Sequence, residues 1–227
     1  MSEGNLCYKV FTQGESMKEY LVKETVGSPV IIWGMYPHSR NEKENLITRL
    51  EELYITNCTI IALEVEDWNA EFSPWKTECE GGNFAGNGIH TINYIRDYMI
   101  KKIKQKYGNE VKIYFMGYSL AGLFAIWSLF LIDELDGAAS CSGSVWFPDF
   151  LNYVTENIDK IHSKKIYLSL GGKENNTENK LLSTVLDNTR KLKTYLEERN
   201  NVFFEINRGG HFADSGKRLA KAIRWIV

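Results

Sequence analysis

The sequence predicts a three-layer α/β/α sandwich built on a mainly parallel sheet, and three observations carry that prediction. Runs such as Val30–Trp33, Thr59–Val65 and Val111–Phe115 are apolar almost throughout, as strands buried on both faces are. Between them lie stretches whose apolar residues recur at helical spacing. The first two runs of the chain alternate instead, as strands of an antiparallel hairpin do.

Those alternating runs, Leu6–Phe11 and Glu19–Glu24, flank the turn-forming segment Thr12–Ser16. Gly27-Ser28-Pro29 resets the chain before the strand Val30–Trp33, which is expected to end at Gly34. Asn41, with Glu44 three residues on, has capping-box spacing, and Leu46, Ile47, Leu50, Leu53 and Tyr54 share one helical face. Thr59–Val65 is the next strand. From Glu66 to Gly88 no period is visible, so this stretch is expected as a long functional loop, kept ordered by Trp68, Phe72 and Trp75. Ile89, Ile92, Ile95, Tyr98 and Met99 mark a helix that stops at Gly108, its C′ residue. The strand beginning at Val111 leads into a helix through Leu123, Ile126 and Phe130. Gly137–Ser142 reads as a small-residue strand, followed by the loop Gly143–Pro148 and a short helix to Ile161. Lys165–Leu170 is a strand ending at Gly171-Gly172, and Leu181, Leu182, Val185, Leu186, Thr189, Leu192 and Leu196 form one long amphipathic helix. Val202–Phe203–Phe204–Glu205–Ile206 is the last strand and Asp214–Val227 the last helix.

A chain of 227 residues, 44% hydrophobic and 25% charged, suits a single globular domain over 1–227. A net charge of −2 supplies no field for nucleic acid or an anionic membrane, so neither is an expected partner. The basic run Lys101–Lys106 falls on a helical pattern and reads as a solvated face. No signal peptide and no bilayer-spanning window is visible, which makes the cytoplasm the expected compartment. Of the four cysteines, Cys58 and Cys141 lie in strands and are expected as buried thiols; Cys7 and Cys79 share no metal-type spacing with them. The sequons at Asn57 and Asn175 read as chance.

Ligands collect at the carboxyl ends of strands in such sheets, so the residues just past each strand are the candidates. Gly117-Tyr118-Ser119-Leu120-Ala121-Gly122 has the form of a nucleophile elbow. A sharp turn exposes Ser119, and the crowding it causes requires small residues at 117, 121 and 122. The Leu120 N–H, in the first turn of the following helix, would face a developing oxyanion. His211 follows Gly209-Gly210, in a loop from which an imidazole can swing back over the sheet edge; His38, His90 and His162 have no such setting. It is the candidate general base. Glu174, just past the Lys165–Leu170 strand, is the preferred acid; Asp187 is a weaker candidate within a helix pattern, and Asp214 breaks the usual chain order. Gly34-Met35-Tyr36 can supply the second oxyanion donor. Pro37 lacks an N–H, which leaves Met35 or Tyr36, with Met35 preferred as the residue next to the glycine.

These residues resemble the α/β-hydrolase superfamily, and within it the esterase D-like branch. The resemblance runs over nearly the whole chain. It rests on the elbow, the Ser140–Trp146 loop, the Leu168–Glu174 strand end and Gly210-His211-Phe212. It departs from the family pattern at Ala121, where glycine is usual, and in a length that leaves little room for a lid. The branch includes carboxylesterases, feruloyl and siderophore esterases, S-formylglutathione hydrolases and some acyltransferases. The resemblance implies a Ser119–His211–Glu174 triad acting through an acyl-enzyme, although some members work as Ser–His pairs.

The expected activity is therefore hydrolysis of small carboxylic esters, with acyl transfer on the same triad, or a non-catalytic module retaining the fold, as alternatives. No cofactor is expected, since no phosphate loop, dinucleotide fingerprint or metal cluster is present. Tyr36, Trp68, Trp75, Tyr118 and Trp146 are the candidate substrate contacts, because all lie near strand ends on the site face. The three tryptophans would serve equally to pin the long loop to the body. The natural ester and the oligomeric state are not legible.

Overall fold

A computed structural model of the chain describes residues 10–12, 17–36 and 40–227, the first segment and residue 40 by their backbone only. The strands are β1 (Val10–Thr12), β2 (Met17–Lys23), β3 (Val30–Met35), β4 (Thr59–Val65), β5 (Thr77–Cys79), β6 (Gly82–Phe84), β7 (Ile113–Tyr118), β8 (Gly137–Cys141), β9 (Lys165–Gly171) and β10 (Asn201–Asn207). The helices are α1 (Arg40–Glu52), α2 (Trp68–Glu71), α3 (Gly88–Tyr94), α4 (Ile100–Tyr107), α5 (Leu120–Ser128), α6 (Phe150–Asn157), α7 (Val185–Glu197) and α8 (Ser215–Ile226). All strands except the small β5–β6 pair join one sheet in the order β1-β2-β4-β3-β7-β8-β9-β10. From β4 to β10 every neighbour is parallel, while β1–β2 and β2–β4 are antiparallel. This is the predicted sandwich with its N-terminal hairpin.

The pleat sorts the core into two layers. Ile31, Trp33 and Met35 of β3, with Ala62, Met116 and Tyr167, pack on Leu46 and Leu50 of α1 and Leu219, Ala222 and Ile223 of α8. Their strand neighbours Val30, Ile32, Leu63, Phe115 and Leu168 pack on the opposite face, against α3 to α7. Because both faces are covered, successive residues of β3 and β7 are all apolar or small. Period two would have exposed one face.

Several expectations shift in detail. β3 runs one residue past Gly34, and α1 starts at Arg40, so Asn41 lies within the helix rather than capping it. The stretch from Glu66 to Gly88 is not irregular throughout; it holds α2 and the β5–β6 hairpin, both too short to show a period. The helix from Gly88 to Tyr107 contains a π-helical turn over Ile95–Met99 and ends at Gly108, whose φ of 99° suits a glycine C′. The long helix expected from Leu181 begins as a 3₁₀ turn at Leu182–Thr184 and becomes α-helical only at Val185. The hairpin's expected start at Leu6, together with Cys7, Pro37 and His38, lies outside the described residues. Cys58 and Cys141 are fully buried thiols.

The chain passes from β3 outward to β4 and then returns to place β7 on the other side of β3. Such a reversal of winding opens a crevice at the carboxyl ends of the two strands concerned. Gly34–Tyr36 end one of them and Ser119 the other.

Candidate active site

At the end of β7 the backbone makes the expected sharp turn. Ser119 has φ 55° and ψ −121°, a conformation costing about 1–3 kcal/mol for a residue with a Cβ. Surrounding bonds hold it there. Its N–H donates to Cys141 O at 3.0 Å, and its carbonyl accepts from the N–H groups of Gly122 and Ser144 at 3.0 Å and Leu123 at 3.1 Å. Glycine at 117 is obligatory, since a Cβ there would sit 2.2 Å from Ala121 O. Ala121 is accommodated in place of glycine because its methyl faces Gly34 and Gly117, which have none. Leu120 opens α5, so its N–H is among the first-turn groups that the helix itself cannot pair.

The imidazole of His211 comes to this serine from the loop after β10. Its Nε2 lies 3.1 Å from Ser119 Oγ, and its Nδ1 lies 2.8 Å from Glu174 Oε2. Glu174 follows β9, its side chain 4% exposed. The second carboxylate oxygen, Oε1, accepts from Ser142 Oγ at 2.7 Å, from Arg218 Nη1 at 2.9 Å and from the Gly171 N–H. Burial alone would raise the pKa of this carboxyl; the bonds from His211, Gly171 and Ser142 outweigh it and hold the group below its ordinary value. The other two acids are elsewhere: Asp187 is 76% exposed on α7 beside Arg190, and Asp214 pairs with Arg49.

A cavity of about 300 Å³ opens at Ser119 and His211, lined also by Trp33, Gly34, Tyr36, Glu42, Trp68, Tyr118, Phe212, Ser215 and Leu219. Trp68 stands between the Tyr36 and Phe72 rings, with centroids at 5.2 and 5.0 Å. Phe212, 90% exposed, forms a lip edge-on to the His211 ring. Trp75 and Trp146 do not line this cavity, which corrects the expectation for both. Trp75 donates through Nε1 to Pro148 O at 3.2 Å and packs on Phe147 and Tyr153, while Trp146 covers Gly81 and meets Phe84. Both pin the Glu66–Gly88 segment to the body, because a loop of that length needs buried aromatics to hold it. Tyr118 lines the cavity with its ring, but its hydroxyl donates to His211 O rather than to the open space.

The peptide directions along β3 bear on Met35, the residue expected to supply the second oxyanion donor. Val30 N–H donates to Lys112 O, on the β7 side of β3. Peptide groups alternate sides along a strand, so even-numbered residues of β3 face β7 and odd-numbered ones face β4. Met35, in register with Glu64, therefore directs its N–H to β4, away from the elbow; the same alternation carried one residue past β3 would turn the Tyr36 N–H toward it.

Residues that sequence reading passed over complete the site: Glu42, Phe212 and Ser215 in the lining, Ser142 and Arg218 behind Glu174. Arg218 had a legible signal. It shares the α8 stripe with Ala222 and Ile226, four and eight residues on, where a charge is out of place unless it is partnered. Among the described residues no helix is long and apolar enough to cross a membrane, and no group of three or more His, Cys, Asp or Glu side chains is placed to hold a metal ion.

No protein-family model matches the sequence. The uncharacterized protein YbbA of Bacillus subtilis is 20% identical over 200 residues, covering 82% of this chain and 80% of its own. Among solved structures, BES protein from Bacillus cereus matches 100% of this chain and 96% of its own, at TM-score 0.72 and 16% identity. Siderophore hydrolase EstA from Aspergillus nidulans matches 96% and 92%, at TM-score 0.71 and 14% identity. An IroE-like serine hydrolase from Shewanella oneidensis matches 96% and 79%, at TM-score 0.73 and 13% identity. The chain has the α/β-hydrolase fold. Of these neighbours, two are named as a siderophore hydrolase and a serine hydrolase, and the enterobactin esterase FES from Shigella flexneri, at TM-score 0.64 and 14% identity, shares the fold as well.

Proposed function

We propose that this chain is a serine hydrolase that cleaves a carboxylic ester through an acyl-enzyme on Ser119. The observation that carries the reading is the continuous path from Ser119 Oγ through both His211 nitrogens to Glu174, in links of 3.1 and 2.8 Å. The fold's likeness to proteins named as siderophore and serine hydrolases supports ester cleavage as the reaction class.

In this mechanism His211 Nε2 takes the Ser119 proton as Oγ attacks the ester carbonyl, and Glu174 holds the Nδ1–H tautomer and stabilises the imidazolium. The N–H groups of Leu120 and Tyr36 receive the oxyanion. The imidazolium then protonates the departing alcohol, leaving an ester on Ser119. A water deprotonated by His211 attacks that ester, and collapse of the second tetrahedral intermediate returns the proton to Oγ. Tyr36, Trp68, Tyr118 and Phe212 give the cavity an apolar, aromatic lining suited to a small substrate.

The test is incubation with a fluorophosphonate probe and with short p-nitrophenyl esters. Label is expected on Ser119, and Ser119→Ala is expected to lose at least about 10³-fold in kcat. Label on another residue, or full turnover by Ser119→Ala, would end this reading. Adding alcohol acceptors and identifying the products separates hydrolysis from acyl transfer.

A further inference from the structure

Behind Glu174, on the side away from His211, lies the side chain of Arg218, 2% exposed. Its two terminal nitrogens reach three separate pieces of the site. Nη1 donates to Ser142 Oγ at 2.6 Å, Glu174 Oε1 at 2.9 Å and the Tyr118 hydroxyl at 3.0 Å. Nη2 donates to Gly210 O at 2.7 Å, with Arg208 O at 3.4 Å. Those carbonyls belong to the loop that carries His211, Tyr118 precedes the nucleophile, and Glu174 is the acid. With Ser142 donating to Glu174 and Tyr118 donating to His211 O, both hydroxyls are free to accept, and the two Nη1 hydrogens are shared among the three acceptors.

The surroundings are shaped for this cation. Gly171 passes so close that a Cβ would lie 2.7 Å from Nη2, 2.6 Å from Gly209 O and 2.8 Å from Gly210 O. Ser142 is held at a φ of 47°, an uncommon conformation for a side-chain-bearing residue. Burying a guanidinium contributes little to stability by itself, since a well-packed apolar side chain often does as well. The charge therefore calls for a use other than packing.

We propose that Arg218 is a positioning residue that locks the acid loop and the histidine loop together and keeps Glu174 ionised; this rests on the reading of Ser119, His211 and Glu174 as the reacting set. Through Oε1 it fixes the carboxylate whose other oxygen holds Nδ1. Through Gly210 O, and through Tyr118 to His211 O, it fixes the backbone on both sides of the imidazole's attachment. Loss of the charge acts in one direction. Glu174 becomes easier to protonate, and a protonated acid no longer accepts from Nδ1–H, so the population of the assembled set with an ionised Glu174 shrinks at low pH.

Two variants separate this from a merely structural role, with fluorophosphonate labelling of Ser119 and ester hydrolysis followed across pH. Arg218→Gln removes the charge, and its acid limb in kcat/KM is expected to move up by about one pH unit. Arg218→Lys keeps the charge but loses the fork; its acid limb is expected to stay, while kcat falls about tenfold at unchanged KM. A folded Arg218→Gln whose acid limb coincides with the parent's overturns the proposal, whatever its activity. If that variant does not fold, Arg218→Lys decides: parental kcat overturns the proposal and the fall in kcat supports it. Absence of Ser119 labelling in the parent sinks the hydrolase reading itself and this inference with it, whereas a labelled parent with unmoved variants sinks this inference alone.

Discussion

Glu174 shows how much chemistry a single side chain can be assigned by what surrounds it. One oxygen faces the imidazole, and the other accepts from a hydroxyl, a peptide N–H and a guanidinium. Glu174→Gln keeps the shape but places an amide where Nδ1–H needs an acceptor. The expected result is a fall of about 10³–10⁴ in kcat with little change in KM, because the imidazole takes the wrong tautomer. A variant retaining a tenth of parental kcat would mean that this protein works as a Ser–His pair. Ser119, His211 and Glu174 were all legible as residues, since each follows a strand and carries reactive chemistry. Arg218 and Ser142 were not read, because their roles depend on contacts across 76 residues of chain.

At the scale of elements, the loops after β4 and β8 divide their tryptophans between two tasks. Trp68 sits on α2 over the cavity, and Trp75 and Trp146 lie in the packing beneath the loop. Trp68→Ala is expected to raise KM for aromatic esters about tenfold and to leave acetyl esters nearly unaffected, as a lost hydrophobic contact is worth roughly 1–3 kcal/mol. Trp146→Ala is expected to do the reverse, lowering thermal stability by about 2 kcal/mol or more while KM holds. A melting curve and a KM for each variant check the division; if Trp146→Ala moved KM and spared stability, the assignment would be inverted. The sequence placed all three in loops after strands, Trp68 and Trp75 in one and Trp146 in another, but without a period to say which ring faces which way. The same limit applies to Met35 and Tyr36: adjacent peptides point to opposite neighbours, and only the strand order β4-β3-β7 says which neighbour is the elbow.

For the whole molecule, the buried ionisable groups bound the pH range of stability. Glu174 holds its proton less tightly folded than unfolded. Its contribution is complete above the ordinary carboxylate range and disappears as pH falls through the lower folded value. Burial pushes the thiols of Cys58 and Cys141 the other way, up to about 11 and about 12. The unfolded chain therefore releases those protons first, and stability falls as pH rises past about 9. The urea midpoint is expected to be flat between about pH 5 and 8 and lower at about pH 3.5 and 10.5. Cys141→Ala should lessen the alkaline loss; an equal loss in that variant would place the responsible group elsewhere.

The sequence alone determined the layers and the edge at which chemistry gathers. Short β-branched apolar runs that alternate with helix-period stretches read as strands covered on both faces, and their carboxyl ends share one edge of a parallel sheet. Tertiary structure decided which donors face the elbow, which aromatics line the cavity and which cation stands behind the acid. Each of those is a matter of direction or of contact between distant segments, and local spacing encodes neither.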